Sequence, residues 1–452
     1  MAGIFAPNPV LLHARLRPAS LACIDLATNR RWMYAELNAD IQRATAVLSA
    51  YAVEAGDRVA TVCINSVHQI ILQQALMRLG AIFVPLNWRL AQPELSKLLD
   101  DCTPTIIFTD RDPPELPLGC RHIEFSRFFH TGYHSRLQRF DSVFLCDGPM
   151  FHFMGLIAQI WPPLMRGGTL LVSPRFNPEA TNRRLSDPQL GITHYFCVPQ
   201  MAEALSRAVN FDPSAWLTLK ALFTGGAPNP PARIKWWLDQ GICMVDGYGS
   251  TEMGTISGMP LSPEMIIKKA GSVGHPGPLT SIRVVDDQGQ PLLPGAIGEV
   301  LVSRDISNPI YWNNVEEDIA SLTPDGWFRT GDIGWADEDG FIFLVDRRKH
   351  MFVSGGENVY PAEVETILTE HPDILEVAVV GVPDETWGEA GRAYVVTSSG
   401  SRIPQADMVM HCQSRIARFK IPKEFVFVNG LPRTGSGKVM KHLLGEDTVS
   451  RL

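Results

Sequence analysis

Apolar and polar positions alternate between two periods along the first third of the chain. Leu37, Ile41, Val47, Leu48 and Tyr51 recur at helical spacing, and after a turn at Gly56-Asp57 the run Val59 to Val62 reads as a buried strand. Ser66 then caps a second helix that stops at Gly80, before the strand Ile82-Phe83-Val84. Short apolar runs at Ile106 to Phe108, Thr169 to Val172 and Ala221 to Thr224 continue the series. Strands alternating with helices predict a mainly parallel, doubly wound sheet system.

Beyond Gly289 the pattern shortens. Asp286-Asp287-Gln288-Gly289 reads as a hairpin-like turn before the strand Gly298 to Val302, which predicts a β-rich subdomain. The charged stretch Asp346 to His350 precedes a small α/β unit with a helix starting at Pro361, a strand Val377 to Val380, a helix near Met408 to Ala417 and a strand Phe425 to Val428. The expected fold class is therefore α/β. A large N-terminal domain of doubly wound sheets plus a β-rich subdomain, residues 1–346, is followed by a small α/β C-terminal domain, residues 347–452.

Composition narrows the function classes. With 452 residues, 45% hydrophobic and 19% charged, the chain has the profile of a multi-domain globular protein. A net charge of −8 without a Lys/Arg run of useful length argues against a nucleic-acid partner. The 8 cysteines form no Cys-x-x-Cys pair, so a reduced, cytoplasmic setting is expected. Pro162-Pro163 interrupts the most apolar segment, and no membrane span is expected.

Several motifs carry chemistry when taken in order. They are Pro85-Leu86-Asn87 with Arg89-Leu90, Pro149-Met150-Phe151-His152, Gly225-Gly226-Ala227, Tyr248-Gly249-Ser250-Thr251-Glu252, Thr330-Gly331-Asp332, Ser354-Gly355-Gly356-Glu357-Asn358 and Gly437-Lys438. Together they resemble the adenylate-forming superfamily of acyl- and aryl-CoA synthetases, adenylation domains and luciferases, over nearly the whole chain. The resemblance implies that Gly225, Gly226 and Ala227 flank an adenine, where small residues let backbone approach a flat base. It implies that Tyr248 and Thr251 belong to the AMP site, Thr251 at the α-phosphate, and that Glu252 helps hold Mg²⁺, a hard cation suited to oxygen ligands. Asp332 would accept the ribose hydroxyls with Arg347 assisting as a donor fork. Lys438 would bring positive charge to the carboxylate and α-phosphate.

The same resemblance makes Lys349 the hinge of a mobile C-terminal domain. Gly355 and Gly356 would belong to a loop that enters the site in a second pose, with Trp387 either near the pantetheine tunnel or in the core. His152 would stand at the mouth of an acyl pocket, to gate it, orient the carbonyl or act as an acid/base group.

The family's Ser/Thr/Gly-rich phosphate loop has no counterpart between Leu90 and Pro149, where Thr131-Gly132 is a faint echo. Such loops cradle phosphates. The AMP half of the site is kept, which leads to an expected acyltransferase moving an aryl group such as benzoyl or anthraniloyl from CoA to an acyl carrier protein. Its intermediate would form on AMP or on Cys146. The alternatives are an ATP-dependent acyl- or aryl-CoA ligase with a divergent phosphate loop, and a non-catalytic protein that binds acyl-CoA or acyl-AMP.

Overall fold

The computed structural model describes residues 8–114, 116–117, 119–125, 142–227, 229–277, 280–305, 307–398, 402–413, 415–434 and 439–444. Thr131-Gly132 and Lys438 therefore lie outside the described residues. The chain divides into two compact units, Met1–Phe223 with Asp239–Cys243, and Thr224–Leu238 with Met244–Leu452.

The first unit contains two groups of strands. Ile82–Pro85, Arg58–Val62, Ile106–Thr109 and Arg121–Glu124 lie side by side in that order, all parallel. His194–Cys197, Val143–Cys146, Thr169–Val172 and Leu21–Asp25 form a second parallel set, closed by Arg30–Met33 running antiparallel. The expected doubly wound arrangement is present.

Helix Tyr34–Ala50 buries Tyr34, Leu37, Ile41, Ala44 and Leu48 against the core. Leu37, Ile41 and Leu48 each contribute roughly 1.5–3 kcal/mol of apolar burial. Val47 is 41% exposed because the buried stripe set by the 34, 37, 41, 44 and 48 positions runs through its neighbour Leu48, and Tyr51 is 40% exposed as the C-cap beyond the helix end. The second helix spans Val67–Leu79; Ser66 takes the N-cap position but its hydroxyl makes no capping hydrogen bond, and Gly80 at φ +71° ends the helix.

In the second unit, Met244–Ser250 pairs antiparallel with Gly254–Gly258. Ile282–Val285, Gly298–Val302, Phe328–Ala336 and Ile342–Arg347 form a four-stranded antiparallel sheet, which is the expected β-rich part. The C-terminal sheet centres on Ile374–Asp384 and Gly388–Thr397, with Glu424–Phe427 parallel to the latter. The helices Pro361–Thr369 and Gln405–Gln413 supply Val364, Leu368, Met408 and Cys412 to its core. Among the described residues no helix is long and apolar enough to cross a membrane.

Candidate active site

Tyr248 and Asp332 occupy different sheets and meet through side chains. Tyr248 Oη donates to Asp332 Oδ2 at 2.5 Å, and Arg347 Nε lies 2.9 Å from Asp332 Oδ1. Asp332 and Arg347 are register partners on the antiparallel strands Phe328–Ala336 and Ile342–Arg347, so backbone pairing places the two charges together. Asp332 is 6% exposed, and a carboxylate that buried is retained only when it is paired and hydrogen-bonded. Burial and the neighbouring Asp332 push the Tyr248 phenol well above its ordinary range, which keeps it a proton donor.

Gly331, between Thr330 and Asp332, has φ +68°, a value other residues reach only with strain. The Thr330 hydroxyl donates to Val300 O at 2.6 Å and accepts from Asp332 N at 3.1 Å. These bonds fix the local direction of the Asp332 backbone.

Gly225 ends the strand Ala221–Gly225, and Gly226 follows at φ +83°. Thr251 and Glu252 lie in the hairpin turn between Met244–Ser250 and Gly254–Gly258, with Thr251 exposed. Glu252 Oε1 accepts from Tyr311 Oη at 3.3 Å, and Ser307 Oγ donates to Glu252 O at 2.9 Å. The sequence reading did not include Tyr311, which lies 59 residues from Glu252. Among the described residues no group of three His, Cys, Asp or Glu side chains could hold a metal. One carboxylate beside an exposed hydroxyl fits Mg²⁺, which commonly takes one or two protein oxygens and completes its shell with phosphates and water.

Lys349 is exposed in the 3₁₀ turn Arg348–His350. On its N-terminal side, Arg348 bonds Glu299 at 3.1 Å and Asp287 at 3.0 Å. The Asp346 carboxylate accepts from Ala362 N at 2.7 Å and Arg347 N at 2.6 Å, and faces His350 Nδ1 at 3.3 Å. Burial alone would raise this carboxyl, yet the bond from His350, the Lys441 charge and the two backbone donors hold it below the ordinary carboxylate range.

Gly355 and Trp387 are in contact. Gly355 N donates to Trp387 O at 2.8 Å, and a Cβ at Gly355 would lie 2.6 Å from Trp387 Cε3. Gly356, exposed at φ +86°, completes the turn between Phe352–Ser354 and Glu357–Val359.

In the first unit, His152 sits on a turn built by buried amides. Asn65 donates to Gly148 O at 2.8 Å and accepts from Met150 N at 2.9 Å, while Gln159 accepts from Gly148 N at 3.2 Å. A π-helix, Met154–Ala158, follows, a form frequent at functional sites. Cys146 is fully buried, and burial with the adjacent Asp147 raises its thiol well above the ordinary value. A nucleophilic cysteine needs the reverse environment, so the structure speaks against Cys146 as an acyl carrier.

Fold and motif order together define an enzyme of the adenylate-forming superfamily. The chain belongs to the AMP-binding enzyme family, which it matches over residues 12–126 and 121–312, with the AMP-binding enzyme C-terminal domain over 363–438. It is 34% identical to an indoleacetate–CoA ligase of Aromatoleum aromaticum, covering 95% of each chain. It is likewise 34% identical to a feruloyl-CoA synthase of an Amycolatopsis species, covering 90% of this chain and 92% of the other. Among solved structures, o-succinylbenzoate CoA synthetase of Bacillus subtilis with an acyl-adenylate superposes with a TM-score of 0.86 at 26% identity, covering 98% of both chains. The same enzyme is known with ATP and magnesium ion, at a TM-score of 0.85.

These likenesses overturn the expected thioester exchange from CoA to a carrier protein, because relatives 30–34% identical over 90–97% of this chain are CoA ligases and a CoA synthase. The two pieces of the family match overlap at residues 121–126, within the Leu90 to Pro149 segment that prompted the expectation. Backbone N–H groups of every residue type but proline can cradle a phosphate, so a shortage of Ser, Thr and Gly there does not by itself remove that capacity.

Proposed function

We propose that the protein is an ATP-dependent acid–thiol ligase joining an aromatic or arylalkanoic carboxylic acid to coenzyme A. The observation that carries this reading is the Tyr248–Asp332–Arg347 constellation in a chain so similar, end to end, to indoleacetate–CoA ligase. In the first step the acid's carboxylate oxygen attacks the α-phosphorus of ATP, and the bond to pyrophosphate breaks. In the second, the CoA sulfur attacks the acyl carbon of the resulting acyl-AMP, the thiol loses its proton and AMP leaves.

The roles proposed for its residues are those that the family resemblance implies. Gly225, Gly226 and Ala227 flank the adenine; Asp332 accepts the ribose hydroxyls, with Tyr248 and Arg347 holding its carboxylate in place. Thr251 donates to the α-phosphate, and Lys438 offsets the charge that concentrates during attack. Glu252, held by Tyr311, would hold Mg²⁺, which supplies neutralisation of phosphate charge when bound. The C-terminal domain, 347–452, turns about Lys349 between the steps and brings Gly355, Gly356 and Trp387 to the pantetheine arm, and His152 walls the acyl pocket.

Aromatic acids are favoured by the indoleacetate, feruloyl and 2-succinylbenzoate named in the relatives. CoA is the assigned acceptor. A carrier-protein thiol is the second to test, because a fatty acid–[acyl-carrier-protein] ligase of Streptomyces coeruleorubidus is 29% identical across 96% of this chain.

The test incubates purified protein with ATP, Mg²⁺, CoA and a panel of aryl, arylalkanoic and fatty acids, and follows AMP, pyrophosphate and thioester. Equal yields of AMP and thioester, strictly dependent on acid, are expected. Absence of acid-dependent ATP–pyrophosphate exchange across the panel would sink the ligase reading.

A further inference from the structure

Three aromatic rings form a row on one face of the parallel strands of the first unit. Phe144, on Val143–Cys146, and His194, on His194–Cys197, are register partners whose ring centroids lie 4.6 Å apart with planes 11° from parallel. Phe223, on Ala221–Gly225, continues the row at 6.0 Å and 9°. All three are half-buried, whereas Val143, Leu145, Tyr195 and Leu222, on the opposite face, are buried. Parallel strands ordinarily have both faces covered, so rings left half open mark room above this face. Cys146 shares the face with Phe144, and its Sγ lies 3.6 Å from Gly155 O, while Gln159 donates to Phe196 O at 2.6 Å. The π-helix Met154–Ala158, which follows the His152 turn, therefore crosses the C-terminal ends of these strands. The row of rings sits two residues deeper, about 7 Å along the strands.

We infer that Phe144, His194 and Phe223 determine acid specificity as the inner wall of the acyl pocket, given the ligase reading with His152 at the mouth of that pocket. The wall stops long alkyl chains and receives a flat aryl group, whose uncharged polar substituent bonds His194 Nε2. Rings stacked in a row from strand to strand turn their edges, not their faces, to the space beside them. A ring edge is positive and a ring face negative, so the wall attracts the face of an aryl group and offers an alkyl chain nothing comparable.

His194 extends the selection to the substituent. Thr193 Oγ1 lies 2.7 Å from Nδ1 and also accepts from Val143 N at 2.8 Å, which fixes the orientation of the imidazole. Nε2 has no hydrogen-bond partner among the described residues. Burial, with the Lys220 and Arg166 charges nearby, holds the imidazole below its ordinary titration range, so near neutral pH it carries no charge. An uncharged imidazole pairs with a hydroxyl or an N–H, and a second carboxylate on the acid would find no cationic ring there.

The experiment measures kcat/KM for phenylacetate, 4-hydroxyphenylacetate, indoleacetate and dodecanoate, with ATP, Mg²⁺ and CoA, in the full-length protein and in Phe223→Ala, His194→Ala and His194→Phe, with a thermal melt of each. Wild type is expected to prefer the aryl acids to dodecanoate by about 100-fold or more. Phe223→Ala and His194→Ala open the wall, so the ratio of dodecanoate to phenylacetate should rise about ten-fold or more, a gain that partial unfolding cannot imitate. His194→Phe keeps a ring in the row without its nitrogens, and keeps the test alive should the alanine variants fail to fold. It should lower the preference for 4-hydroxyphenylacetate or indoleacetate over phenylacetate by roughly five-fold or more. The KM for ATP should change less than about two-fold in every folded variant, since the wall does not touch the nucleotide. An unchanged ranking of the acids in folded variants overturns the inference, and so does a wild type that prefers dodecanoate. A wild type that forms no thioester from any acid removes the ligase reading, and the wall is then judged by calorimetric titration of the same acids. Aryl binding weakened about ten-fold in His194→Ala supports it. Equal binding by the two proteins, or none by wild type, overturns it.

Discussion

Asp332 faces Arg347 directly across two antiparallel strands, and the 2.9 Å contact between their side chains is the side-chain counterpart of that backbone pairing. Tyr248 completes the arrangement from another sheet at 2.5 Å. Two long-range contacts therefore aim one carboxylate.

The three residues differ in what their loss should cost. Tyr248→Phe removes one hydrogen bond to a carboxylate, worth about 1.5–3 kcal/mol. It is expected to raise the KM for ATP roughly ten-fold with little change in kcat, about 1.4 kcal/mol per decade. Asp332→Ala strands both the Tyr248 hydroxyl and the Arg347 guanidinium, so kcat/KM for ATP should fall by more than about 100-fold. Its thermal midpoint should drop as well. Equal effects of the two substitutions would show that Tyr248 does not act through Asp332.

Gly355→Ala tests the second half-reaction. Its Cβ would collide with the Trp387 ring at 2.6 Å, on a residue already at φ +61°. The strain is of order 1–3 kcal/mol. Thioester formation from supplied acyl-AMP should slow at least ten-fold, while acyl-AMP formation from acid and ATP stays within three-fold of wild type. Quenched-flow measurement of each half-reaction separates the two, and an equal loss in both would contradict the assignment.

Cys146→Ala should retain full turnover. Removal of a buried thiol leaves a small void beside Gly155, whose carbonyl lies 3.6 Å from the sulfur, and costs about 1–2 kcal/mol of stability. In native protein the thiol should resist iodoacetamide and become reactive in urea. Inactivation of a folded Cys146→Ala protein would restore a covalent route.

Asp147 gives a pH signature. It is buried, and burial pushes its carboxyl up to about 6 against bonds from Thr181 and Tyr195, whereas an unfolded aspartate titrates near 3.9. Between these values the folded state holds the extra proton, so this group's contribution to stability is present at about pH 4 and is lost as pH rises through about 6. Asp147→Asn cannot titrate. The unfolding free energy of wild type minus variant, from urea titrations, should fall by roughly 2–3 kcal/mol between about pH 4 and pH 7. Parallel curves for the two proteins would refute the shift.

Much of this architecture was readable from the chain because its signals are local. Alternation of apolar runs with helical stripes gave the parallel sheets, and Gly80 and Pro361 marked helix ends by their own backbone preferences. Tyr248, Asp332 and Arg347 stood out through their motifs. Asn65, Gln159 and Tyr311 did not, since an amide or phenol that reaches across dozens of residues leaves no periodic trace. The step from the missing phosphate loop to thioester exchange failed for a physical reason as well. A phosphate cradle is made of backbone N–H groups, and side-chain composition does not count them.

Asp346 precedes Lys349 in the chain, yet it holds two groups that follow it, His350 Nδ1 and the amide at the start of the helix Pro361–Thr369. Any rotation of the backbone at Lys349 carries both groups away from the carboxylate. In the proposed turning about Lys349 the pivot is therefore geared to a clasp, and the Asp346 carboxylate has to release both groups before the movement starts.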